Sequence, residues 1–191
     1  GGTKAAFINL SSAADTSSSW FNNTNPTSSE FSVGSHGAVN GNGTTYVAYV
    51  FAHDDAKFGT DEDESIIKCG SYTGNGTGTS SFKDVSLGFE PQWILIKCIS
   101  HGTTDWMLTD TMIGSYNPGS GSNDNMTYLR PNNNQPEGGT RGAEPTATGF
   151  KVRGAFGNTN ADGRTYIYMA IRRPNKPPTA GTDVFNTVQN N

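Results

Sequence analysis

The sequence predicts an all-β chain, a sandwich or barrel of many short strands, and three observations carry that reading. Apolar residues come in brief β-branched and aromatic runs. Turn clusters separate the runs: Asn40-Gly41-Asn42-Gly43, Gly74-Asn75-Gly76, Asn117-Pro118-Gly119, residues 132–139 and Asp162-Gly163. No helix stands out. The longest stretch free of Gly, Pro, Asn, Ser and Thr is 46–58, and its first half, Tyr46-Val47-Ala48-Tyr49-Val50-Phe51, is strand-like.

The strands run in this order. Residues 5–10 and 31–33 are short candidates. Residues 46–51 are apolar on both alternating faces, Tyr46, Ala48, Val50 and Val47, Tyr49, Phe51, as expected of a central strand covered on both sides. Residues 65–69 alternate weakly, and 82–85 are short. Trp93-Ile94-Leu95-Ile96-Lys97-Cys98-Ile99 is the strongest run, with 105–109 next, where Trp106 and Leu108 share one face. Residues 126–129, 150–152 and 166–171 complete the set. The expected core is Trp93, Leu95, Trp106, Leu108, Tyr166 and Ile171.

Composition narrows the class. The 191 residues hold 24 glycines and 16 % charged side chains, and the net charge is −4. At this length a domain buries roughly 70 % of the surface its unfolded chain exposes, so 3 Trp, 7 Tyr and 10 Phe suffice for a core. An acidic balance without a basic run argues against a nucleic-acid partner. Apolar runs of seven or eight residues are too short for a membrane-spanning helix. The start, Gly1-Gly2-Thr3-Lys4, has neither Met nor signal-peptide architecture, which suggests a piece of a longer polypeptide.

An internal repeat organises the chain. Pro26-Thr27-Ser28-Ser29-Glu30-Phe31-Ser32-Val33 matches Pro145-Thr146-Ala147-Thr148-Gly149-Phe150-Lys151-Val152, an offset of 119. Asn40-Gly41-Asn42-Gly43-Thr44-Thr45-Tyr46-Val47 matches Asn160-Ala161-Asp162-Gly163-Arg164-Thr165-Tyr166-Ile167, an offset of 120. Residues 1–52 therefore read as the C-terminal part of a first module, 53–64 as an acidic connecting loop, 65–173 as a complete second module, and 174–191 as a Pro-rich exit linker and tail. The matched strands are expected to superpose, Phe31 on Phe150 and Tyr46 on Tyr166.

Several segments resemble a tail-fibre-like or lectin-like module of tailed-phage virion proteins, common in phages of aquatic bacteria. They are Gly70-Ser71-Tyr72-Thr73-Gly74-Asn75-Gly76, Leu87-Gly88-Phe89-Glu90-Pro91-Gln92-Trp93 with the run after it, Asp110-Thr111-Met112-Ile113-Gly114, the Thr-Gly-Phe at 148–150, and 166–173. The chain departs from that pattern at Cys98, where Arg or a polar residue is common, and at 110–114, which lacks an Arg. The resemblance implies a β-sandwich of jelly-roll or lectin-like type in tandem modules. It implies a non-enzymatic structural or adhesive role at the surface of an extracellular particle, as tail fibre, spike or decoration. The implied partners are other virion proteins, host-surface glycans and the chain itself, as a trimer. The competing readings are a bacterial extracellular fibre or adhesin and a polysaccharide depolymerase.

Chemistry-bearing residues are sparse. His36, His53 and His101 all lie in turn-like contexts, and no Gly-x-Ser-x-Gly elbow precedes a helix, so no catalytic triad is expected. Glu90, Asp105, Asp110, Glu137 and Glu144 could in principle form the acid pair of a glycosidase, but each lies beside a turn. Six carboxylates crowd residues 54–64, and Asp54, Asp61 and Asp63 are the candidate calcium ligands. Their spacing is not that of an EF-hand, and a solvated loop without a cofactor is the plainer expectation. Trp20, in a Ser/Asn-rich stretch, is the candidate platform for stacking on a sugar. Cys69 and Cys98 each come after Ile-Lys, so a disulfide requires that their strands pair; two free thiols are expected of a particle assembled in a bacterial cytoplasm.

Overall fold

The computed structural model describes residues 2–59, 61–78, 80–113, 127–138 and 142–173. The Pro-rich exit at 174–191, the turn at 117–119 and Met126 lie outside these residues. In chain order the elements are β1 (Lys4–Ala5), β2 (Asp15–Thr16), α1 (Ser18–Phe21), α2 (Gly37–Asn40), β3 (Ile67–Thr73), β4 (Phe82–Ser86), β5 (Pro91–Cys98), β6 (Met107–Asp110), β7 (Ala143–Thr146), β8 (Gly149–Arg153) and β9 (Thr165–Arg172). The described residues are all-β with two single helical turns.

Two antiparallel sheets dominate. One has the order β3-β9-β5-β6 and the other β4-β8-β7; β1 and β2 form a small separate pair. The final strand, β9, is central, pairing with β3 along Ile67↔Ile171 to Thr73↔Thr165 and with β5 from Pro91↔Arg172 to Cys98↔Tyr166. Strand alternation assigns the faces. Ile94, Ile96 and Cys98, with Tyr166, Tyr168, Ala170, Tyr72 and Met107, meet Val85, Phe150, Val152 and Ala143 of the other sheet in one core cluster. Tyr72 stacks on Tyr166 at 5.1 Å, and Phe150 sets its ring against Tyr168 at 5.3 Å, edge to face.

This parity corrects the expected core. Trp106 and Tyr166 are buried, but Trp93, Leu95, Leu108 and Ile171 are half-buried on the opposite face of the four-stranded sheet. Of the strand expected at 126–129, the described residues 127–129 make only single bridges, at Tyr128 and Leu129. β7 is a strand that periodicity does not mark.

The turn before β9 locks that strand in place. Asn160 and Thr159 donate backbone N–H groups to Phe156 O, Asn160 Nδ2 donates to Gly154 O, and Arg164 N to Ala161 O. Tyr166 Oη donates to Gly157 O and accepts from Ala161 N, each at 2.9 Å. The end of β3 docks on this turn: Tyr72 Oη donates to Thr159 O at 2.6 Å, Asn75 N to Asn160 Oδ1, Gly76 N to Asn160 O and Gly74 N to Arg164 O. A Cβ at Gly74 would lie 2.2 Å from Ala161 O, and one at Gly76 2.1 Å from Gly154 O, so only glycine permits the approach.

The same hydrogen bonds recur 120 residues earlier. Asn40 and Val39 donate to His36 O, Asn40 Nδ2 to Gly34 O, and Thr44 N to Gly41 O; Tyr46 Oη donates to Gly37 O and accepts from Gly41 N. Gly43 and Gly163 share a positive φ, 71° and 69°. At the 119 offset, Thr27 N donates to Glu30 O where Thr146 pairs with Gly149. Beyond the turn the two segments differ. Residues 46–51, expected to be a covered strand, form no ladder, and Val47, Tyr49 and Val50 are 77, 84 and 74 % exposed. Residues 31–33 also form no ladder, and Phe31 is 50 % exposed where Phe150 is 1 %. The physical reason is pairing. β9 lies between β3 and β5 and β8 between β4 and β7, and no such neighbours flank 46–51 or 31–33 among the described residues. The strand expected at 5–10 shortens to Lys4–Ala5.

Two predictions test this arrangement. Burial pushes the Tyr166 phenol up to about 12 from 10. The stability tied to the neutral phenol is therefore complete below pH 10 and is lost as the pH rises toward about 12. Tyr166→Phe should cost about 1–3 kcal/mol at neutral pH, by stranding Ala161 N–H and Gly157 C=O, and should make the alkaline loss shallower. Urea unfolding at neutral and alkaline pH measures both; an unchanged midpoint contradicts the role given to the hydroxyl. Thr159 Oγ1 is buried and, among the described residues, has no hydrogen-bond partner, whereas the matching position 39 is Val. Thr159→Val should therefore raise stability by about 1 kcal/mol and lift the melting temperature; a fall would show that the hydroxyl is engaged.

Candidate interaction surface

The histidines are separated and engaged locally. His36 Nδ1 accepts from Ala38 N at the start of α2, and its ring stacks on Trp20 at 3.7 Å. His53 Nδ1 accepts from Cys69 N on the open edge of β3, and His101 Nδ1 lies against Gly102 O. Of the candidate acid-pair residues, four meet cations or backbone and side-chain donors. Glu144, buried, takes Arg153 on both oxygens. Glu90 meets Arg173 at 3.1 Å, Glu64 meets Arg172 at 3.0 Å, and Asp84 meets Lys151 at 3.7 Å. Asp105 accepts from Asn132 and Asn133 and pairs with Arg130, while Asp110 accepts from Met112 N. Glu137 is exposed.

In the acidic loop, Asp54 pairs with Lys68 at 3.0 Å and accepts from Ser65 Oγ at 2.8 Å. The Lys68 and then the Ser65 hydrogen bond hold its carboxyl below the usual range. Asp61 and Asp63 are exposed within a loop closed by reciprocal backbone bonds between Phe58 and Glu64. Among the described residues, no group of three or more His, Cys, Asp or Glu side chains is placed to hold a metal ion. No helix among them is long and apolar enough to cross a membrane.

Trp20 is 3 % exposed. Its ring is covered by His36 and the edge of Phe7, and its Nε1 donates to Asp15 Oδ2 at 2.7 Å. The indole is a packing element of the N-terminal segment and presents no open face for a sugar. Cys69 and Cys98 are free thiols. β9 separates their strands, and alternation directs them to opposite faces of the sheet, so the pairing a disulfide would need is not made.

Lys97 is a structural anchor that the sequence pattern does not single out. Its side chain is fully buried, and Nζ donates to Thr104 O at 2.6 Å, Thr104 Oγ1 at 3.2 Å and Ser11 O at 3.1 Å. Burial holds the ammonium below its ordinary value, against the opposing pull of Cys98 and Asp105. With Ala14 N on Ile99 O, Thr104 N on Ser11 O and Trp106 Nε1 on Phe7 O, this lysine fastens residues 7–14 to one end of the four-stranded sheet. A lysine inside an otherwise apolar strand is the signal that could have found it.

Beyond that end, the outer face of the sheet is apolar and half-buried. Ile67, Ile171 and Trp93 form one cross-strand row, and Cys69, Met169, Leu95 and Leu108 form the next. The outer face of the three-stranded sheet carries the row Asp84, Lys151, Glu144 instead. A charged face is solvated at little cost, whereas a contiguous apolar one favours contact with another surface.

No curated protein and no solved structure matches the chain. A family model described as a domain of unknown function, DUF7483, matches residues 2–174, and the chain belongs to that family.

Proposed function

We propose that this chain is a non-enzymatic structural and adhesive module of a phage virion. It acts as a segment of a tail fibre, spike or surface decoration that packs on other virion proteins and presents loops to host-surface glycans. The observation that carries the reading is the apolar outer face built from Ile67, Trp93, Leu95, Leu108, Met169 and Ile171, together with exposed Val47, Tyr49 and Val50. Such surface favours association. The ion-paired carboxylates favour a structural role over a depolymerase, whose two carboxyl groups must face one another across the scissile bond. The resemblance of 70–76, 87–97 and 166–173 to phage modules supplies the setting. The shared core of the two sheets supports a sandwich of jelly-roll or lectin-like type, and the hydrogen bonds repeated at the 120-residue offset support tandem modules. The acting species is a homo-oligomer, a trimer, at the particle surface.

Sedimentation at micromolar concentration should find a trimer, and Leu95→Arg, in the middle of the apolar face, should shift it toward monomer while the chain stays folded by circular dichroism. A monomeric wild type, or a variant that keeps the trimer mass, overturns the assembly reading. Incubation with host capsular polysaccharide should release no reducing ends; release would make the protein a depolymerase. Calcium should leave the melting temperature unchanged, and a rise of several degrees would place a cation among the carboxylates of 54–64.

A further inference from the structure

We infer that the turn 34–44 and the segment 45–52 form a receptor for the strand of another repeat unit joined in tandem, a strand ending in Tyr-x-Gly-x-Gly like residues 72–76. The inference rests on the tandem part of the proposed function and adds the partner's chemistry.

The interface is already built once in this chain. At the turn before β9, Thr159 O takes the hydroxyl of Tyr72, Asn160 Oδ1 and O take the amides of Asn75 and Gly76, and Arg164 O takes that of Gly74. The counterparts 120 residues earlier are Val39 O, Asn40 Oδ1, Asn40 O and Thr44 O. Their turn is held by the same hydrogen bonds, through His36 O, Gly34 O and the Tyr46 hydroxyl. Among the described residues, none of these four oxygens accepts a hydrogen bond. Asn40 and Thr44 are exposed, and Val39 is half-buried.

The strand after the turn carries the same requirement. β9 is apolar on both faces, is hydrogen-bonded by a neighbour along each edge, and closes the core with one of its faces. Residues 46–51 keep that pattern at the 120-residue offset: Tyr46 stands for Tyr166, Ala48 for Tyr168 and Val50 for Ala170. These three β9 residues are buried in the core, whereas Tyr46 is 39 % and Val50 74 % exposed. A strand laid against 46–51, in the way β3 lies against β9, would supply the ladder, and its Tyr would shield Tyr46 as Tyr72 stacks on Tyr166.

The test duplicates that complement. Residues 53–121 placed directly before residue 2 of the full chain restore the 120-residue spacing. Hydrogen exchange at the amides of 46–51 should slow by about tenfold or more relative to the natural chain. Unchanged exchange there overturns the inference. If the added strands are themselves protected in that case, the tandem reading stands and only the receptor fails; if they are unprotected, both fall. Should the longer chain not fold, a peptide of residues 65–78 added to the natural chain provides the second measurement. It should slow exchange at 46–51, and Asn40→Ala should abolish the effect. Protection confined to the neighbours of β9, or protection that survives Asn40→Ala, overturns the inference.

Discussion

The pairing of β9 on both sides is the constraint on which the rest of the fold depends. This last strand enters between β3 and β5, so the four-stranded sheet cannot close until the chain has travelled from residue 67 to residue 172. Such distant pairing carries a high loop-closure entropy, which local interactions must offset. The turn at 154–166 supplies them, with Tyr166 bridging Gly157 and Ala161 and the glycines of 74 and 76 letting β3 approach the turn backbone. Once β9 is in place, Tyr166, Tyr168 and Ala170 close the core against Phe150 and Val152.

Strand positions are legible in the sequence where β-branched and aromatic residues alternate, as in β5 and β9. Strand faces are less so. In Trp93-Ile94-Leu95-Ile96 both parities are apolar, so periodicity cannot say which set meets the second sheet. β7 escapes because Glu144 and Pro145 do not look like strand residues. Pro145 is tolerated because β7 is an edge strand, and Glu144 because Arg153 neutralises it. Residues 46–51 show the converse. Their sequence specifies a strand covered on both sides, but a strand forms only when neighbours supply its hydrogen bonds.

The candidate site residues are legible as residue types and not as environments. Trp20 reads as exposed from its polar neighbours, yet His36, sixteen positions away, stacks on it. The acidic loop reads as a cation site by charge density, yet Lys68 and Ser65 engage Asp54 from β3 and its approach. Lys97 reads as a polar interruption, and its three carbonyl and hydroxyl acceptors come from two separate loops. Each of these partners is set by tertiary structure.

The two outer sheet faces differ in chemistry. On the three-stranded sheet, Asp84, Lys151 and Glu144 lie in one cross-strand row; Asp84 and Lys151 reach water and their pair adds little beyond orientation, while Arg153 neutralises buried Glu144. On the four-stranded sheet, the rows through Trp93 and Leu95 are apolar as far as Asp110 on β6, beyond the end that residues 7–14 cover. The β3 edge is partly closed by His53 and Asp54, which bond to Cys69 N and Ile67 O, so lateral strand addition is blocked at that end of β3. The proposed association would therefore run through the face of the sheet rather than along its edge, and face-to-face packing there can bury Trp93, Leu95 and Met169 without breaking any hydrogen bond that holds β9.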